Sequence, residues 1–118
     1  MTDSVLDLTA RLMKFRDDRD WRQFHSLKDL IVSAGIETGE LLELIQWKDT
    51  QAVEDAVTDP DFRERLGEEV SDVFLYLLLI AERAGIDLVE EAHRKIDQND
   101  AKYPVDKARG NAKKYTEL

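Results

Sequence analysis

Apolar side chains recur at three- and four-residue spacing along most of this 118-residue chain. No segment alternates polar and apolar residues with the period of two that is typical of a half-buried strand. Only two prolines and five glycines interrupt the pattern. A sequence of this kind buries its apolar side chains by forming helices that pack on one another. We therefore predict an all-α fold, a four-helix-bundle-like subunit.

Capping residues indicate where the helices begin and end. Ser26-Leu27-Lys28-Asp29 has the form of a capping box, and Asp87-Leu88-Val89-Glu90 resembles a second one. Asp59-Pro60 combines an N-cap residue with proline at the first helical position, Gly85 is typical of a C-terminal cap, and Pro104 disfavours helix at the residue before it. The predicted helices are about 4–18, Ser26 to Gln46, 50–57, Asp59 to Ala84 and Asp87 to Lys102, followed by a basic, irregular tail at 104–118.

The segment from Val73 to Ala81 is apolar at nearly every position, so both faces of this helix require burial. A chain of 118 residues has no room for a second core, and we predict a single domain over 1–118. In so small a subunit the second face is most readily buried against another copy. We therefore predict a homo-oligomer.

The composition excludes several classes of protein. The formal net charge is −9, which argues against binding of nucleic-acid polymers because such proteins present a basic field to phosphates. The chain has no cysteine, which removes disulfides, thiolate zinc sites and thiol catalysis. The run Val73 to Ala81 is too short to span a bilayer, and Met1-Thr2-Asp3-Ser4 lacks the basic flank of a signal peptide. We expect a cytoplasmic protein with no membrane partner.

Two helices each place a pair of acidic residues on the side that should face the core. On a helical projection, Glu37 falls inside the apolar stripe of the second helix and Glu40 lies at its edge. On the long helix Glu69 falls inside the stripe and Asp72 borders it. Each pair has i, i+3 spacing, so its members lie on one face one turn apart.

Four carboxylates that converge in a setting of low dielectric repel one another, at a cost of about 4 kcal/mol for one pair at about 4 Å. Pairing with basic side chains, protonation or the binding of a divalent cation relieves this repulsion. Glu43 and Glu68 point to the polar side of their helices and do not require such relief. If the helices rotate so that all four acids reach solvent, no ion is required. Oxygen ligands favour Mg²⁺ or Mn²⁺ over zinc, and we predict such a site.

A basic segment near the end of the chain suggests a phosphate-bearing ligand. Residues 1–93 carry a net charge of −12 and residues 94–118 carry +3, although a solvated lysine-rich tail would have the same composition. Lys95, Asn99 and Lys102 share one helical stripe. A metal held by carboxylates alone is commonly one that meets a phosphate. Trp21 and Trp47 lie near helix ends, where an indole can stack on a base or simply pack.

The two acidic pairs, Glu37-Thr38-Gly39-Glu40 and Glu69-Val70-Ser71-Asp72, resemble the ExxE…ExxD signature of the MazG-like all-α nucleoside triphosphate pyrophosphohydrolases. The similarity runs nearly from end to end. It includes, in order, Arg19-Asp20-Trp21, Gln23-Phe24-His25, Gly39-Glu40-Leu41, Gln46-Trp47-Lys48, Glu68 to Val73, Asn99, Tyr103-Pro104 and Lys114 to Leu118.

The resemblance implies hydrolysis of a (deoxy)nucleoside triphosphate to the monophosphate and pyrophosphate, with cleansing of the nucleotide pool as the cellular role. Deoxycytidine triphosphate, including base-modified forms, is the expected substrate, and the family assembles as dimers or tetramers. The implied Mg²⁺ ligands and catalytic residues are Glu37, Glu40, Glu69 and Asp72. The implied substrate-binding residues are Trp21, Arg22, Gln23, Phe24, His25, Trp47, Tyr76, Lys95, Asn99, Tyr103 and Arg109. Close relatives carry a histidine on the first helix that reaches the base, whereas this chain has Leu12.

Other functions remain open at this stage. All-α dUTPases, broad dNTP pyrophosphatases and phosphoribosyl-ATP pyrophosphohydrolases share the same carboxylate arrangement. A ferritin-like di-iron protein requires two Glu-x-x-His motifs, and this chain offers one, Glu90 to His93. A non-enzymatic helical interaction domain explains the helices and the oligomer, but it leaves four inward acids without a role.

Overall fold

The structure, a computed structural model, describes residues 4–118, and helices account for all regular secondary structure in that range. The all-α prediction is confirmed. Of the N-terminal tetrapeptide used in the signal-peptide prediction, only Ser4 lies among the described residues. Over these residues no helix combines the length and the apolar character needed to cross a bilayer.

The chain divides into two compact units, one up to Gly85 and one from Ile86 onward. The first unit contains helices α1 (Val5–Asp18), α2 (Leu27–Glu43), α3 (Thr50–Ala56) and α4 (Pro60–Ala84), with a 3₁₀ turn at Arg22–Phe24. The second contains α5 (Leu88–Lys102), α6 (Val105–Ala108) and a 3₁₀ turn at Tyr115–Glu117. The prediction that 1–118 form a single domain stays a prediction.

Side chains cap the helices of the first unit at the residues that the sequence indicates. The Ser26 hydroxyl accepts a hydrogen bond from the Asp29 backbone N–H at 3.1 Å, which begins α2. The Asp59 carboxylate accepts from the Asp61 N–H ahead of α4, and Gly85 ends α4 in the left-handed conformation at φ 70°. These caps satisfy backbone groups that have no partner within the helix.

The core of the first unit forms where α4 packs against α2 and α1. Its buried apolar side chains come from α2, from the turn that follows α2, and from α4; they are Leu30, Leu44, Phe62, Leu78, Leu79 and Ala81. On α4 one face is buried through Leu78, Leu79 and Ala81, whereas Val70, Phe74 and Leu77 on the same helix are 37–48% exposed. This uncovered apolar stripe matches the expectation that α4 needs burial on a second face.

The second unit begins with α5, whose N-cap Asp87 accepts a hydrogen bond from the Glu90 N–H at 3.1 Å. The tail at 104–118 is not wholly irregular, because α6 and the final 3₁₀ turn lie within it. Pro104 has φ −55° and precedes the single turn of α6, which is too short to leave a periodic pattern in the sequence. Tyr115 packs edge-on against Tyr103 with ring centroids 6.1 Å apart.

Candidate active site

Helices α2 and α4 bring four carboxylates together. Glu37 and Glu40 lie one turn apart on α2, and Glu69 and Asp72 lie one turn apart on α4. Each residue offers one oxygen, and these four oxygens all lie within 4.8 Å of one another. Glu37 and Glu69 are half-buried, whereas Glu40 and Asp72 are exposed. The two helices therefore pack so that one acid of each pair is inside and the other is at the rim.

The two inner carboxylates lack the partners that buried acids usually have. Within residues 4–118, the buried Oε2 atoms of Glu37 and Glu69 have no hydrogen-bond partner. Burial raises the pKa of Glu37, and the carboxylate of Glu40, together with those of Asp72 and Glu69, raises this pKa further. Burial likewise raises the pKa of Glu69, with added repulsion from Glu40 and Asp72. Orphaned buried oxygens are rare and call for a ligand or a proton.

The neighbouring acids on the same helices behave differently. Glu43 on α2 and Glu68 on α4 are exposed, as their positions on the helical projection predict, and neither belongs to the group of converging carboxylates. The cluster is therefore a feature of four particular positions rather than of a generally acidic surface. These two residues also supply matched controls for substitution.

The donor set suits a hard divalent cation. Mg²⁺ prefers carboxylate and other oxygen ligands, and here four carboxylate oxygens lie within 4.8 Å of one another. A cation there would give Glu37 Oε2 and Glu69 Oε2 the partner that they lack. The acidic cluster is thus able to hold a metal ion.

The chain turns sharply after α1 and returns an aromatic side chain towards that helix. Asp20 adopts a left-handed conformation at φ 55°, and the Trp21 backbone N–H donates to the Arg16 carbonyl at 3.1 Å. The Trp21 ring meets the Phe15 ring edge-on at 5.7 Å between centroids. Arg19 covers Phe15 at 3.8 Å. Local hydrogen bonds and stacking therefore fix the position of Trp21.

A cavity of about 250 Å³ lies between α1, this turn and α4. Asp72, one of the four clustered acids, forms part of its wall, so the cavity adjoins the acidic cluster. The other polar residues of the wall are Arg16 and His25. Apolar and aromatic side chains complete it, namely Leu12, Phe15, Trp21, Leu75, Tyr76 and Leu79. Such a lining, apolar with a few polar groups, is typical of small-molecule sites.

Arg16 is a wall residue that sequence reasoning missed. Its side chain is buried at 5% exposure and pairs with Asp17 (Nε to Oδ1, 2.8 Å) and Glu82 (Nη1 to Oε2, 3.0 Å). The hydrogen bond from its side chain to Asp17, aided by Glu82, raises the pKa of Arg16, so the guanidinium stays charged. Its partner Glu82 is 66 residues away along the chain, and no local pattern signals that pairing.

The cavity gathers some of the predicted substrate-binding residues and not others. Trp21, His25 and Tyr76 line it. Arg22, Gln23 and Phe24 form the exposed 3₁₀ turn between Trp21 and His25, without lining the cavity. Trp47 is 94% exposed at φ 68° and does not line the cavity either.

The remaining predicted ligand contacts belong to the second unit. Lys95 and Asn99 lie on α5, Tyr103 caps its C-terminus, and Arg109 follows α6. Lys95, Asn99 and Arg109 are exposed. Their assignment to the nucleotide stays a prediction.

Residues 32–118, which include all four clustered acids, match the MazG-like family. The chain belongs to this family. Among its relatives are the proteins named dCTP pyrophosphatase 1 of Mus musculus, 42% identical over 112 residues, and of Homo sapiens, 41% identical over 112 residues. Both alignments cover 95% of this MazG-like chain, which spans 66% of the length of each relative.

The fold agrees with this MazG-like assignment. A crystal structure of a pyrophosphatase from Archaeoglobus fulgidus superposes with a TM-score of 0.80 at 34% identity. The superposition covers 88% of this chain and 95% of that one. The family match begins at residue 32, so it does not include α1 and the turn that supply Arg16, Trp21 and His25 to the cavity.

The di-iron alternative finds no support in the geometry of this MazG-like chain. Glu90 and His93 lie on α5, in the second unit, and neither is a member of the acidic cluster. His25, the other histidine, lines the cavity. The cluster itself contains carboxylates alone, which is the wrong donor set for two Glu-x-x-His motifs.

Proposed function

We propose that this chain hydrolyses (deoxy)nucleoside triphosphates between the α- and β-phosphates and depends on a divalent cation, Mg²⁺ with Mn²⁺ as a substitute. The observation that carries the proposal is the set of four converging carboxylates, two of them with orphaned buried oxygens, beside a largely apolar cavity. Membership of the MazG-like family supports the same reaction. The products are a nucleoside monophosphate and pyrophosphate.

The proposed substrate is dCTP or a base-modified dCTP, and the proposed cellular role is removal of such nucleotides from the pool. The relatives that share 41–42% identity carry the name dCTP pyrophosphatase 1. The cavity volume of about 250 Å³ is slightly below the usual range for drug-sized ligands, which favours a small planar group such as a nucleobase. Broader acceptance, including dATP, dTTP or dUTP, is the competing possibility within this class.

In this mechanism the cation would be held by the carboxylates of Glu37, Glu40, Glu69 and Asp72. A bound divalent cation would supply charge neutralisation at the phosphates and acidify a coordinated water. One of the carboxylates orients the attacking water and accepts its proton. The new bond joins the water oxygen to the α-phosphorus, and the bond from the α-phosphorus to the bridging oxygen breaks as pyrophosphate leaves.

Several residues outside the acidic cluster have proposed roles in binding. Trp21, His25 and Tyr76 would enclose the nucleoside. Arg22, Gln23 and Phe24 would support the 3₁₀ turn that lies between Trp21 and His25. Trp47, exposed and held at a positive φ, would act as a further contact for the base. Lys95, Asn99, Tyr103 and Arg109 would contact the phosphates or the base.

We also propose that the chain assembles as a homodimer or tetramer through the exposed stripe of Val70, Phe74 and Leu77 on α4. Leaving such a stripe exposed to water is unfavourable. Each large apolar side chain contributes about 1.5–3 kcal/mol to stability when it is fully buried. The four-helix-bundle description would then apply to the subunit within that assembly. A cytoplasmic location stays a prediction, based on the absence of cysteine.

The decisive experiment measures pyrophosphate release from a panel of nucleoside triphosphates, with MgCl₂ and with EDTA. We expect turnover that requires Mg²⁺, prefers dCTP, and falls at least 100-fold in Glu69→Gln. Glu68→Gln is the matched control, because Glu68 is the adjacent residue and is exposed. Absence of turnover of every nucleotide by the wild type, or undiminished turnover by Glu69→Gln, would refute the mechanism.

A further inference from the structure

The first helix has its one buried side chain at a charged residue. Arg16 is that residue, on a helix that the structure describes in full. The apolar side chains of α1 are half-buried, as at Leu8 and Leu12, or exposed, as at Leu6. The buried apolar core of the first unit contains no residue of α1. Apolar burial alone therefore does little to fix where α1 lies on α4.

The Arg16 side chain joins α1 to the last turn of α4. Its Nη1 donates to Glu82 Oε2 at 3.0 Å, and within residues 4–118 this is the only ion pair that joins two different helices. Its Nε donates to Asp17 Oδ1 at 2.8 Å, which helps to hold the planar fork in one orientation. Burial of a guanidinium is unfavourable unless such partners are in place. The pair with Glu82 is therefore a specific link between the two helices.

The backbone of the same residue holds the turn that follows α1. The Arg16 carbonyl accepts hydrogen bonds from the Arg19 N–H at 3.2 Å and from the Trp21 N–H at 3.1 Å. The Trp21 ring packs edge-on against the Phe15 ring, with centroids 5.7 Å apart. Arg16 and Trp21 both line the cavity. A displacement of Arg16 would therefore move Trp21 with it and change this side of the cavity.

We propose that Arg16 is a positioning residue, whose ion pair with Glu82 sets where the Trp21 turn lies relative to α4 and so determines the shape of the cavity. Arg16 acts through Trp21 and requires no contact with a ligand for this role. The inference rests on the proposed function in one respect, namely that the ligand of the cavity is the nucleotide. None of the four clustered carboxylates is a partner of Arg16. Loss of the pair should therefore weaken binding of the nucleotide and leave the chemical step unchanged.

Acrylamide quenching of tryptophan fluorescence measures the position of the turn without any ligand. The chain has two tryptophans, so Trp47→Phe leaves Trp21 as the single one. In this background Arg16→Met and Glu82→Met should each raise the quenching constant by up to about twofold, because Trp21 is 43% exposed when the turn is in place. The double variant Arg16→Met/Glu82→Met should raise it no further than Arg16→Met alone, because both substitutions remove the same pair.

Matched controls carry the same substitutions at exposed positions of the same two helices. Arg11→Met lies on α1 and Glu64→Met lies on α4, and neither residue takes part in the ion pairs of Arg16. Both variants should keep the quenching constant of the Trp47→Phe background. Unchanged quenching in Arg16→Met, or an equal rise in Arg11→Met, would contradict the proposal.

A variant that fails to fold does not prevent the test. If circular dichroism shows that Arg16→Met has lost its helices, Glu82→Met decides, because Arg16 then keeps Asp17 as a partner. Unchanged quenching in Glu82→Met would then overturn the proposal.

Steady-state kinetics with Trp47 present separates positioning from a loss of stability. A destabilised protein contains fewer active molecules, so its apparent kcat falls while KM is unchanged. Loss of position should instead raise KM for dCTP about tenfold in Glu82→Met and keep kcat within about twofold of the wild type. A fall in kcat at constant KM would show that the pair only stabilises the fold, and the proposal would be wrong.

The two measurements separate this inference from the proposed reaction. The quenching experiment contains no nucleotide, so it decides the position of the turn whether or not a nucleotide is hydrolysed. Raised quenching in Arg16→Met and Glu82→Met, in a protein that releases no pyrophosphate, would support the positioning and refute the reaction. Pyrophosphate release with unchanged quenching in both variants would do the reverse.

Discussion

At the scale of single residues, two half-buried carboxyl groups dominate the electrostatics of the candidate site. The pKa values of Glu37 and Glu69 are both raised above the ordinary value of 4.5, by burial first and by neighbouring carboxylates second. The folded state therefore binds more protons than the unfolded state at pH values between 4.5 and the raised pKa values. Their contribution to stability is fully present below pH 4.5 and is lost as the pH rises through the raised values. A cation that binds the charged carboxylates has the opposite pH dependence, because its contribution to stability grows as the pH rises.

We predict that Mg²⁺ raises the melting temperature at pH 8 and has little effect near pH 4.5. Protons compete with the cation for the same oxygens, so the stabilisation grows as the pH rises through the raised pKa values of Glu37 and Glu69. At a Mg²⁺ concentration a hundred times Kd the gain is about 2.7 kcal/mol, or roughly 10 °C. Differential scanning calorimetry with MgCl₂ and with EDTA measures the shift.

Glu37→Gln tests whether the shift arises at the cluster. This variant should melt at a higher temperature than the wild type in EDTA at pH 8, because one repelling charge is gone, and it should lose most of the response to Mg²⁺. Glu43→Gln, on the same helix but exposed, should respond to Mg²⁺ as the wild type does. An equal Mg²⁺ response in Glu37→Gln and Glu43→Gln would mean that the cluster does not bind the cation.

The residue scale also shows what the sequence can and cannot reveal. Helical periodicity is sufficient to place Glu37 and Glu69 inside apolar stripes and to predict that four carboxylates converge, as they do within 4.8 Å. The pairing of Arg16 with Glu82 depends on how α1 meets α4, which no local pattern encodes. From the sequence alone, Arg16 is expected to be a charged residue on the surface of a helix. Long-range pairing of this kind becomes visible only in the folded chain.

At the scale of helices, boundaries are predictable where a chemical signal marks them. Ser26, Asp59 and Asp87 each cap a helix through a side-chain oxygen, at the positions that the sequence indicates. The end of α2 carries no such signal. It ends at Glu43 rather than near Gln46, and the chain continues in turns whose backbone bonds span three residues, such as the Ile45 N–H to the Leu42 carbonyl at 3.1 Å. The apolar spacing continues through Leu44 and Ile45, so periodicity alone extends the helix too far.

The apolar stripe of α4 leads to a prediction about assembly. Wild-type protein should sediment as a dimer or tetramer at micromolar concentration, because Val70, Phe74 and Leu77 are then covered. Phe74→Glu places a charge in the middle of that stripe, and burying it unpaired is unfavourable by several kcal/mol. We expect this variant to sediment as a 13.6 kDa monomer.

A second substitution controls for a general effect of added charge. Leu6 on α1 is 79% exposed and lies outside the stripe, so Leu6→Glu should leave the sedimentation of the assembly unchanged. Circular dichroism of both variants shows whether each keeps its helices. A monomeric wild type, or an assembly unaffected by Phe74→Glu, would contradict an interface on this face of α4.

At the scale of the whole molecule, the charge is divided unequally between the two compact units. The formal net charge of −9 belongs entirely to residues 1–85, and residues 86–118 have as many basic as acidic side chains. A nucleoside triphosphate is itself highly anionic, so the overall field of the protein opposes its approach. Under the proposed function, binding would depend on local cations, namely a metal at the carboxylates and basic side chains such as those proposed, Lys95 and Arg109. Added salt weakens the repulsion from the acidic protein, which favours binding of the nucleotide. It also weakens the attraction to the basic side chains, which disfavours binding.

We predict that kcat/KM for the preferred nucleotide falls as KCl rises from 20 to 300 mM at saturating Mg²⁺. Salt shortens the Debye length to about 10 Å at 0.1 M, which weakens the attraction between the phosphates and exposed basic groups. Lys95→Ala should raise KM and flatten this salt dependence, because it removes one of those groups. Lys48→Ala, which removes an exposed charge from the first unit, should keep the wild-type slope. A kcat/KM that rises with salt would mean that repulsion from the acidic unit dominates, and Lys95 would then have no part in holding the triphosphate.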